Sequence, residues 1–343
     1  MTQVQKLYGS PGSPYTRKML AYMRYRHIPY QVMYQDPSVK GDMPAPKVRL
    51  LPTFYFEDGK GGYDAVTDST PLIRRFEGEY EGRAAVPSDP AIAFLDYVLE
   101  DFGDEWLTKA MFHYRWAFAA DIDKAKAVLP RWGGGVSIST EQADQLGEIF
   151  GERQISRLWV VGSNDVTGPV IEESYSRILK AMDDHLGRFP YLMGHRPGAS
   201  DFAFYAQLTQ LALFDPTSMA ATLKESPRVF AWVHVIDDLS GLEVTEDDWI
   251  SREDAATSLA PLLEELGRTY VPVMLANAAA VTAGAEKVEC EVEDKPWVQK
   301  PFPYQAKCVG WVRDELNALS DDDRAAALKI FQGSGCVPLF KAV

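Results

Sequence analysis

Two serines three residues apart frame the motif Ser10-Pro11-Gly12-Ser13-Pro14-Tyr15, which follows the apolar run Val4 to Tyr8 and opens a helix-like stretch from Tyr15 to Arg26. Ser13 stands where a helix begins. Unpaired backbone N–H groups and the helix dipole favour an anion at that point, and a hydroxyl beside them can donate to it; a thiolate is one such anion. The plain alternative is that Ser13 is an N-cap with Pro14 at the first helical position. Gly12 makes the loop flexible enough for either serine to turn toward the anion, and Ser13 is favoured because it borders the helix. Tyr8, well before the motif, reads as packing.

The surrounding residues supply the elements that would hold this motif. Tyr30 to Tyr34 reads as a second strand, and a polar loop from Asp36 to Pro46 leads into Val48 to Phe56, closed by the hairpin signal Asp58-Gly59. Pro52 cannot donate to a sheet ladder, so it is either the first residue of a strand or part of a cis turn entering one. Either way Leu51 keeps free backbone groups. Val66 to Ile73 reads as an N-cap cluster opening a helix that runs to about Tyr80, with Leu72, Ile73 and Phe76 on one face. Asp68 or Ser69 as a simple helix cap is the plain alternative there. The order is β-α-β, then β-β-α.

Four pieces in this order, namely Leu7-Tyr8 into Ser13-Pro14-Tyr15-Thr16-Arg17-Lys18, then Lys47-Val48, Leu51-Pro52, and Asp68-Ser69-Thr70-Pro71-Leu72-Ile73, resemble the thioredoxin-like N-terminal domain of the glutathione S-transferase family. The resemblance implies that Ser13 is the catalytic residue, with Ser10 the second hydroxyl at hand; some classes of the family use a tyrosine from the first strand, which keeps Tyr8 in view. It implies that Leu51, before a cis Pro52, pairs main chain to main chain with the cysteinyl unit of glutathione, and that Asp68 and Ser69 hold the γ-glutamyl end. The chemistry agrees: a helix N-terminus and Ser69 suit the γ-glutamyl carboxylate, and Asp68 suits its ammonium. A free cysteine thiol has a pKa of about 8.5, and a helix N-terminus with a good donor lowers it. Ser13 would then donate to sulfur without itself attacking. Lys40 and Lys47 are candidates for the glycine carboxylate, and a solvated charge is their plain reading. Arg17 and Lys18 are expected to face solvent or pair with a nearby acid.

A chain of 343 residues exceeds one ordinary domain. Its 46% hydrophobic and 24% charged residues are those of a globular protein. A net charge of -14 and a pI near 4.9 argue against nucleic-acid backbones and anionic membrane surfaces as partners. No Gly-rich phosphate loop is found. Met1 to Lys6 shows no basic segment before a long apolar stretch, so no signal peptide is expected, and no run approaches the roughly 18 apolar residues of a membrane span. Cys290, Cys308 and Cys336 are few, odd in number and without Cys-x-x-Cys spacing, as in a reducing cytoplasm; they read as small buried apolar residues. The five histidines form no metal-ligand pair at helical spacing, and no metal is expected.

Glu81 to Pro90 is a linker. Ala91 to Tyr114 reads as one long helix, with Phe94, Leu95, Val98, Phe102, Trp106 and Leu107 at three- and four-residue steps and Asp96, Glu100, Asp101, Asp104 and Glu105 between them. Those carboxylates are either an acidic wall beside a substrate or a solvated face. His113 to Trp116 could reach the cleft or form core. Further helices are expected at 140–156, 169–186, 201–214 and 227–239. Tyr191 to Phe202 resembles the start of the buried central helix of the transferase C-terminal domain; Asp201 matches its Asp, while Gly198 replaces the usual hydroxyl at a loss of a few tenths of a kcal/mol. Beyond about residue 250 the resemblance ends: Arg252 to Ala280 is helical, Val288 to Val292 and Trp297 to Gln299 form a hairpin turning at Asp294-Lys295-Pro296, and a final helix runs from about Ala306 to Leu319. These additions, with an unusually long insertion containing Glu148 to Arg153 and Trp159 to Asn164, suggest an atypical, bacterial-like branch. The extension could lid the substrate site or extend an interface.

The expected fold class is α+β: a thioredoxin-like domain over residues 1–80, an all-α domain over 91–280, and a hairpin-and-helix extension over 281–343. The function that the resemblance implies is a transferase using glutathione as cosubstrate. Its thiolate attacks an electrophilic, mostly apolar small molecule held between Tyr15, the helix end at His113 to Trp116, and the extension. Conjugation, thioether cleavage and isomerisation all use that thiolate. A glutaredoxin-like reductase would need cysteine at Ser13; a non-catalytic glutathione-binding protein of the same fold is the other alternative. A homodimer, cytoplasmic and engaged in detoxification, is what the family implies.

Overall fold

The computed structural model describes residues 3–341; Met1 and Thr2, part of the stretch read for a leader, lie outside the described residues. The first six elements are β1 (Gln5–Tyr8), α1 (Pro14–Tyr25), β2 (Tyr30–Met33), β3 (Thr53–Glu57), β4 (Tyr63–Val66) and α2 (Ser69–Glu79). They make a four-stranded sheet in the order β2-β1-β3-β4, with β1 parallel to β2 and antiparallel to β3. A parallel neighbour needs a crossover, which α1 provides. This is the thioredoxin-like arrangement. Leu7 and Phe54 from the sheet are fully buried with Met19 and Tyr22 of α1 and Ile73 and Phe76 of α2. Tyr8 stands opposite Thr53, so the chain leaving β1 and the chain entering β3 meet at one end of the sheet. The entering bond, Leu51-Pro52, is cis.

The all-helical part contains α3 (Pro90–Glu105), α4 (Leu107–Ala117), α5 (Ala119–Gly134), α6 (Thr140–Ile155), α7 (Gly168–Leu186), α8 (Ala199–Leu211), α9 (Pro216–Glu225), α10 (Pro227–Ile236), α11 (Arg252–Ser258), α12 (Ala260–Glu265) and α13 (Val271–Ala283). The single helix expected over 91–114 is two. It breaks at Trp106, whose indole donates to Ser174 Oγ at 2.8 Å and lies against Trp297 with ring centroids 5.4 Å apart. The expected helix over 252–280 is likewise divided, and a π-helical turn at Leu266–Tyr270 joins α12 to α13. Sequence periodicity gave no sign of α5, which carries Pro130 in its interior.

Charges on α3 are not a solvated face, and Asp101, Asp104 and Glu105 line a small cavity of about 230 Å³. Asp96, Glu100, Asp104 and Glu105 are all buried. Lys18 of α1, fully buried, sits between Glu100 (2.7 Å) and Asp104 (2.6 Å), and Arg74 of α2 adds a 2.9 Å contact to Glu100. Arg17, on the same helix, pairs with Asp237 at 2.7 Å.

The start of α8 follows the expected plan with one substitution of parts. Asp201 accepts from Leu192 N (2.7 Å) and Gly198 N (2.9 Å). The cap that a hydroxyl at position 198 would supply comes from Asp96 of α3, which accepts from Ala199 N (3.2 Å) and Ser200 N (2.9 Å). Gly198 is therefore not a weakened cap, because a Cβ there would collide with the Asp96 carboxylate.

The extension holds β5 (Val288–Val292), β6 (Lys295–Gln299), α14 (Pro303–Ala318), α15 (Asp321–Ile330) and α16 (Val337–Phe340), so α14 is not the last helix. The hairpin turns at Glu293-Asp294, both with positive φ (54° and 59°), one residue earlier than expected. Pro296 lies inside β6, which a two-stranded ribbon tolerates because both strands are edges. Phe94 of α3 meets Phe331 and Phe340 edge-on at 5.8 and 5.4 Å. The three cysteines are unpaired, with Cys308 and Cys336 buried. Among the described residues no helix is long and apolar enough to cross a membrane, and no group of three or more His, Cys, Asp or Glu could hold a metal ion.

Restoring the hydroxyl, Gly198→Ser, is expected to destabilise the fold by about 1–3 kcal/mol, the scale of overpacking, where a cap added to an open glycine would be neutral or stabilising. Urea unfolding of the variant measures the sign.

Candidate functional site

Ser13 is the N-cap of α1: its Oγ accepts from Thr16 N at 3.3 Å and donates to the Leu51 carbonyl at 3.4 Å. The motif at the helix mouth and the cis-proline segment are thus joined by one hydroxyl. Ser10 Oγ accepts from Gly12 N at 3.4 Å, and a tight turn links Ser13 N to Ser10 O at 3.0 Å. The loop is held more firmly than its glycine suggests. A Cβ at Gly12 would lie 2.5 Å from Leu129 of α5, the Gly12 carbonyl accepts from Arg115 Nη1 at 3.2 Å, and the Pro11 carbonyl accepts from Gln210 at 3.2 Å.

In front of these serines lies a cavity of about 550 Å³. One wall is Tyr8, Ser10, Ser13 and Leu51; the other is mostly apolar, with Met111, Phe112 and Trp116 of α4, Leu129 of α5, and the partly exposed Leu146 and Phe150 of α6, beside the polar Arg115 and Gln154. Burial, then the Asp36 charge, raises the Tyr8 phenol above its ordinary pKa. A polar end that can stabilise an anion thus faces a mostly apolar chamber.

Of the expected pocket residues, Trp116 lines this cavity and two others do not. Tyr15 turns its hydroxyl to the Asp104 carbonyl (2.8 Å) on α3. His113 is buried toward α7, with Nδ1 2.8 Å from Ser163 Oγ and Nε2 3.3 Å from Glu172, and burial lowers its pKa. Among the described residues none of the extension lines the cavity; α5 and α6 close it instead. Lys40 is exposed on a neighbouring cavity of about 610 Å³ that shares the Pro11 loop, and Lys47 is exposed outside both.

Asp68 and Ser69 stand at the start of α2, but only Ser69 is buried in the helix. Asp68 has φ +88° and makes no side-chain cap; its carboxylate instead accepts from Tyr304 Oη of α14 at 2.7 Å. The plain alternative, a simple helix cap, does not describe Asp68. Lys18, five residues beyond Ser13 on α1, reaches Thr70 Oγ1 at 3.4 Å, so the two helix mouths are tied along one edge of the domain.

Arg115, one of the four residues that could reach the cleft, does line the cavity; what its sequence neighbours do not show is that it underlies the whole loop. Its guanidinium is buried and grips Asp215 through Nε (3.0 Å) and Nη2 (2.9 Å), with Gln210 Oε1 2.8 Å from Nη2. Burial pushes the Asp215 carboxyl up to about 6, against the pull of Arg115. Arg115 lay within the quartet read as an aromatic cluster, and its partner is 100 residues away.

Two family models match the chain: the glutathione S-transferase N-terminal domain over residues 7–84 and the glutathione S-transferase C-terminal domain over residues 144–234. No curated protein matches it. Among solved structures it is similar to a glutathione transferase family member from Pseudomonas fluorescens with two glutathione bound, at 13% identity over 69% of this chain and 88% of that one, TM-score 0.41. It is also similar to a tau class glutathione S-transferase from mango, at 16% identity over 72% of this chain and 96% of that one, TM-score 0.40.

Arg115→Met leaves the Asp215 carboxylate buried and unpaired, at an expected loss of about 3–5 kcal/mol, whereas Arg115→Met with Asp215→Leu recovers most of it. Denaturant unfolding of the two variants makes the comparison.

Proposed function

The chain belongs to the glutathione S-transferase family, and from that premise we propose that it ionises the glutathione thiol at Ser13 and directs the thiolate at an electrophilic, mostly apolar small molecule. The observation that carries the reading is Ser13 Oγ, at the mouth of α1 and 3.4 Å from the Leu51 carbonyl, on the wall of a half-apolar cavity. The Leu51 backbone is the group the cysteinyl unit would pair with. As the peptide's N–H takes over the Leu51 carbonyl, the Ser13 hydroxyl turns to sulfur. The first N–H groups of α1 add to that donor, and together they lower the thiol pKa.

The γ-glutamyl carboxylate lies at Ser69 and the N-terminus of α2, its ammonium at Asp68, and the glycine carboxylate toward Lys40 or Lys47. The acceptor fills the side of Met111, Phe112, Trp116 and Phe150. The sulfur lone pair forms a C–S bond; either a leaving group departs with its electron pair, or the neighbouring atom takes up the pair and then a proton. Conjugation, thioether cleavage and isomerisation share that first step. No cysteine stands at the helix mouth, which argues against a dithiol reductase. We further infer three parts, residues 1–80, 91–280 and 281–343, working as a homodimer in a reducing compartment, with detoxification the role such a thiolate suits.

Ultraviolet titration of bound glutathione tests the donor. Wild type is expected to hold the thiol below its free value of about 8.5. Ser13→Ala should raise it by at least about one unit and lower kcat/KM by about 10²–10³, the scale of losing one preorganised donor. Ser10→Ala should leave both unchanged; the reverse pattern would make Ser10 the donor.

A further inference from the structure

Asp68 holds an unusual backbone conformation for a residue with a side chain, at φ +88° and ψ 113°, a strained region that persists where surrounding contacts impose it. What it gives up is also unusual. An aspartate at this position normally turns onto the N–H groups of its own helix, yet this carboxylate makes no such bond and is held at Oδ2 by Tyr304.

Tyr304 reaches across 236 residues of sequence from the first turn of α14, and that turn is firmly seated. Phe302 N donates to Asn277 Oδ1 at 2.7 Å and the Asn277 amide returns a bond to the Phe302 carbonyl at 2.9 Å. Gln305 donates to Glu105 Oε2 at 3.0 Å and accepts from Lys109 at 3.4 Å. The Tyr304 ring is flanked by Phe302 and Trp311, with centroids 6.3 and 5.7 Å away. Burial, then the Asp68 charge, raises the phenol pKa, which keeps it a donor at working pH.

We infer that the C-terminal extension completes the γ-glutamyl subsite, Tyr304 being a positioning residue that keeps the Asp68 carboxylate turned off its own helix and aimed, through Oδ1, at the ammonium of glutathione. This deepens the proposed function and rests on it. The Tyr304 ring makes no claim on the sulfur, so its effect is on binding of the amino-bearing end and not on thiol ionisation.

Calorimetry with two ligands separates the possibilities: glutathione itself, and the analogue lacking its α-amino group. Tyr304→Phe is expected to weaken glutathione about tenfold, the scale of one hydrogen bond to a charged group. The desamino analogue should bind as it does to wild type, and the pKa of the bound thiol should not move. Asp68→Asn should abolish the preference for glutathione over the analogue, and in that background Tyr304→Phe should add nothing. Equal glutathione affinity in wild type and Tyr304→Phe, equal weakening of both ligands, or a preference that survives Asp68→Asn would overturn the inference while leaving glutathione activation at Ser13 standing. Wild type that binds neither ligand would instead remove the proposed function, and this inference with it.

Discussion

One buried ammonium fixes the geometry on which the site depends. Lys18 is fully enclosed between Glu100 and Asp104, and with Tyr15 and Arg74 it bolts the thioredoxin-like domain to α3 of the helical domain. Its energetic value is small beside its positional one. Removing a single partner from a buried ion pair costs about 3–5 kcal/mol, yet replacing a whole pair by apolar groups is often neutral. What an ion pair supplies that apolar packing does not is a unique register. Ser13 lies five residues, or about 7–8 Å of helix, from Lys18, so pinning one sets where the other faces α4. The two carboxylates of the network are not equivalent. Burial works against Glu100, but Lys18 and Arg74 hold it below the usual carboxylate range. Asp104, with the same lysine but beside Glu100, is pushed up to about 7, chiefly by burial. Glu100, held by both Lys18 and Arg74, is thus favoured as the anion, and Asp104, held by Lys18 alone, less so.

Arg115 extends the same logic to the loop itself. Lys18 sets the height of α1; Arg115, Gln210 and Asp215 set the carbonyls of Pro11 and Gly12 just ahead of it. The Ser10-to-Ser13 segment is therefore gripped from below by charge and from the side by Leu129, and its backbone has little freedom left. The more exposed wall of the cavity is the opposite one, where Leu146 and Phe150 stand partly in solvent. Under the proposed function, a fixed serine side and a more open apolar side suit a thiolate presented to apolar acceptors.

The legible parts of this protein are the ones written in adjacent residues. Ser13-Pro14 marks a helix start, Leu51-Pro52 a special bond and Asp68-Ser69 another helix mouth, because capping and proline chemistry act over one to three positions. The illegible parts are settled by partners far along the chain. Periodicity sorts a carboxylate on an amphipathic helix to the solvent side, and the burial of Glu100 and Asp104 depends on Lys18, more than 80 residues earlier. On α4 the residues His113 to Trp116 occupy every face of the helix within about one turn, so their order alone does not say which of them meets the cavity. Packing decides: Met111, Phe112, Arg115 and Trp116 share one side, and His113 falls on the other, toward α7. Gly198 misleads in the same way. Taken alone it is a poor cap; beside Asp96 it is the only residue with room for the carboxylate that replaces one.

Why α3 can bury so many acids follows from what lies over it. Its outer face is covered by α14 and α15 of the extension, and the contact is made polar where the acids require it. From the extension, Gln305 takes up the Glu105 carboxylate and shares the Lys109 ammonium with Gln299, while Tyr270 of the helical domain donates to Asp101. Next to these the packing is aromatic, with Trp106 on Trp297 and Phe94 between Phe331 and Phe340. A loosely attached tail would leave unpaired carboxylates in a dry interface, which is more costly than leaving them in water. The acids of α3 and the amides of the extension must therefore have been fitted to each other, and the same fitted surface delivers Tyr304 to Asp68. The extension acts on the domain farthest from it in sequence because the carboxylates of α3 leave it only one well-paired way to lie.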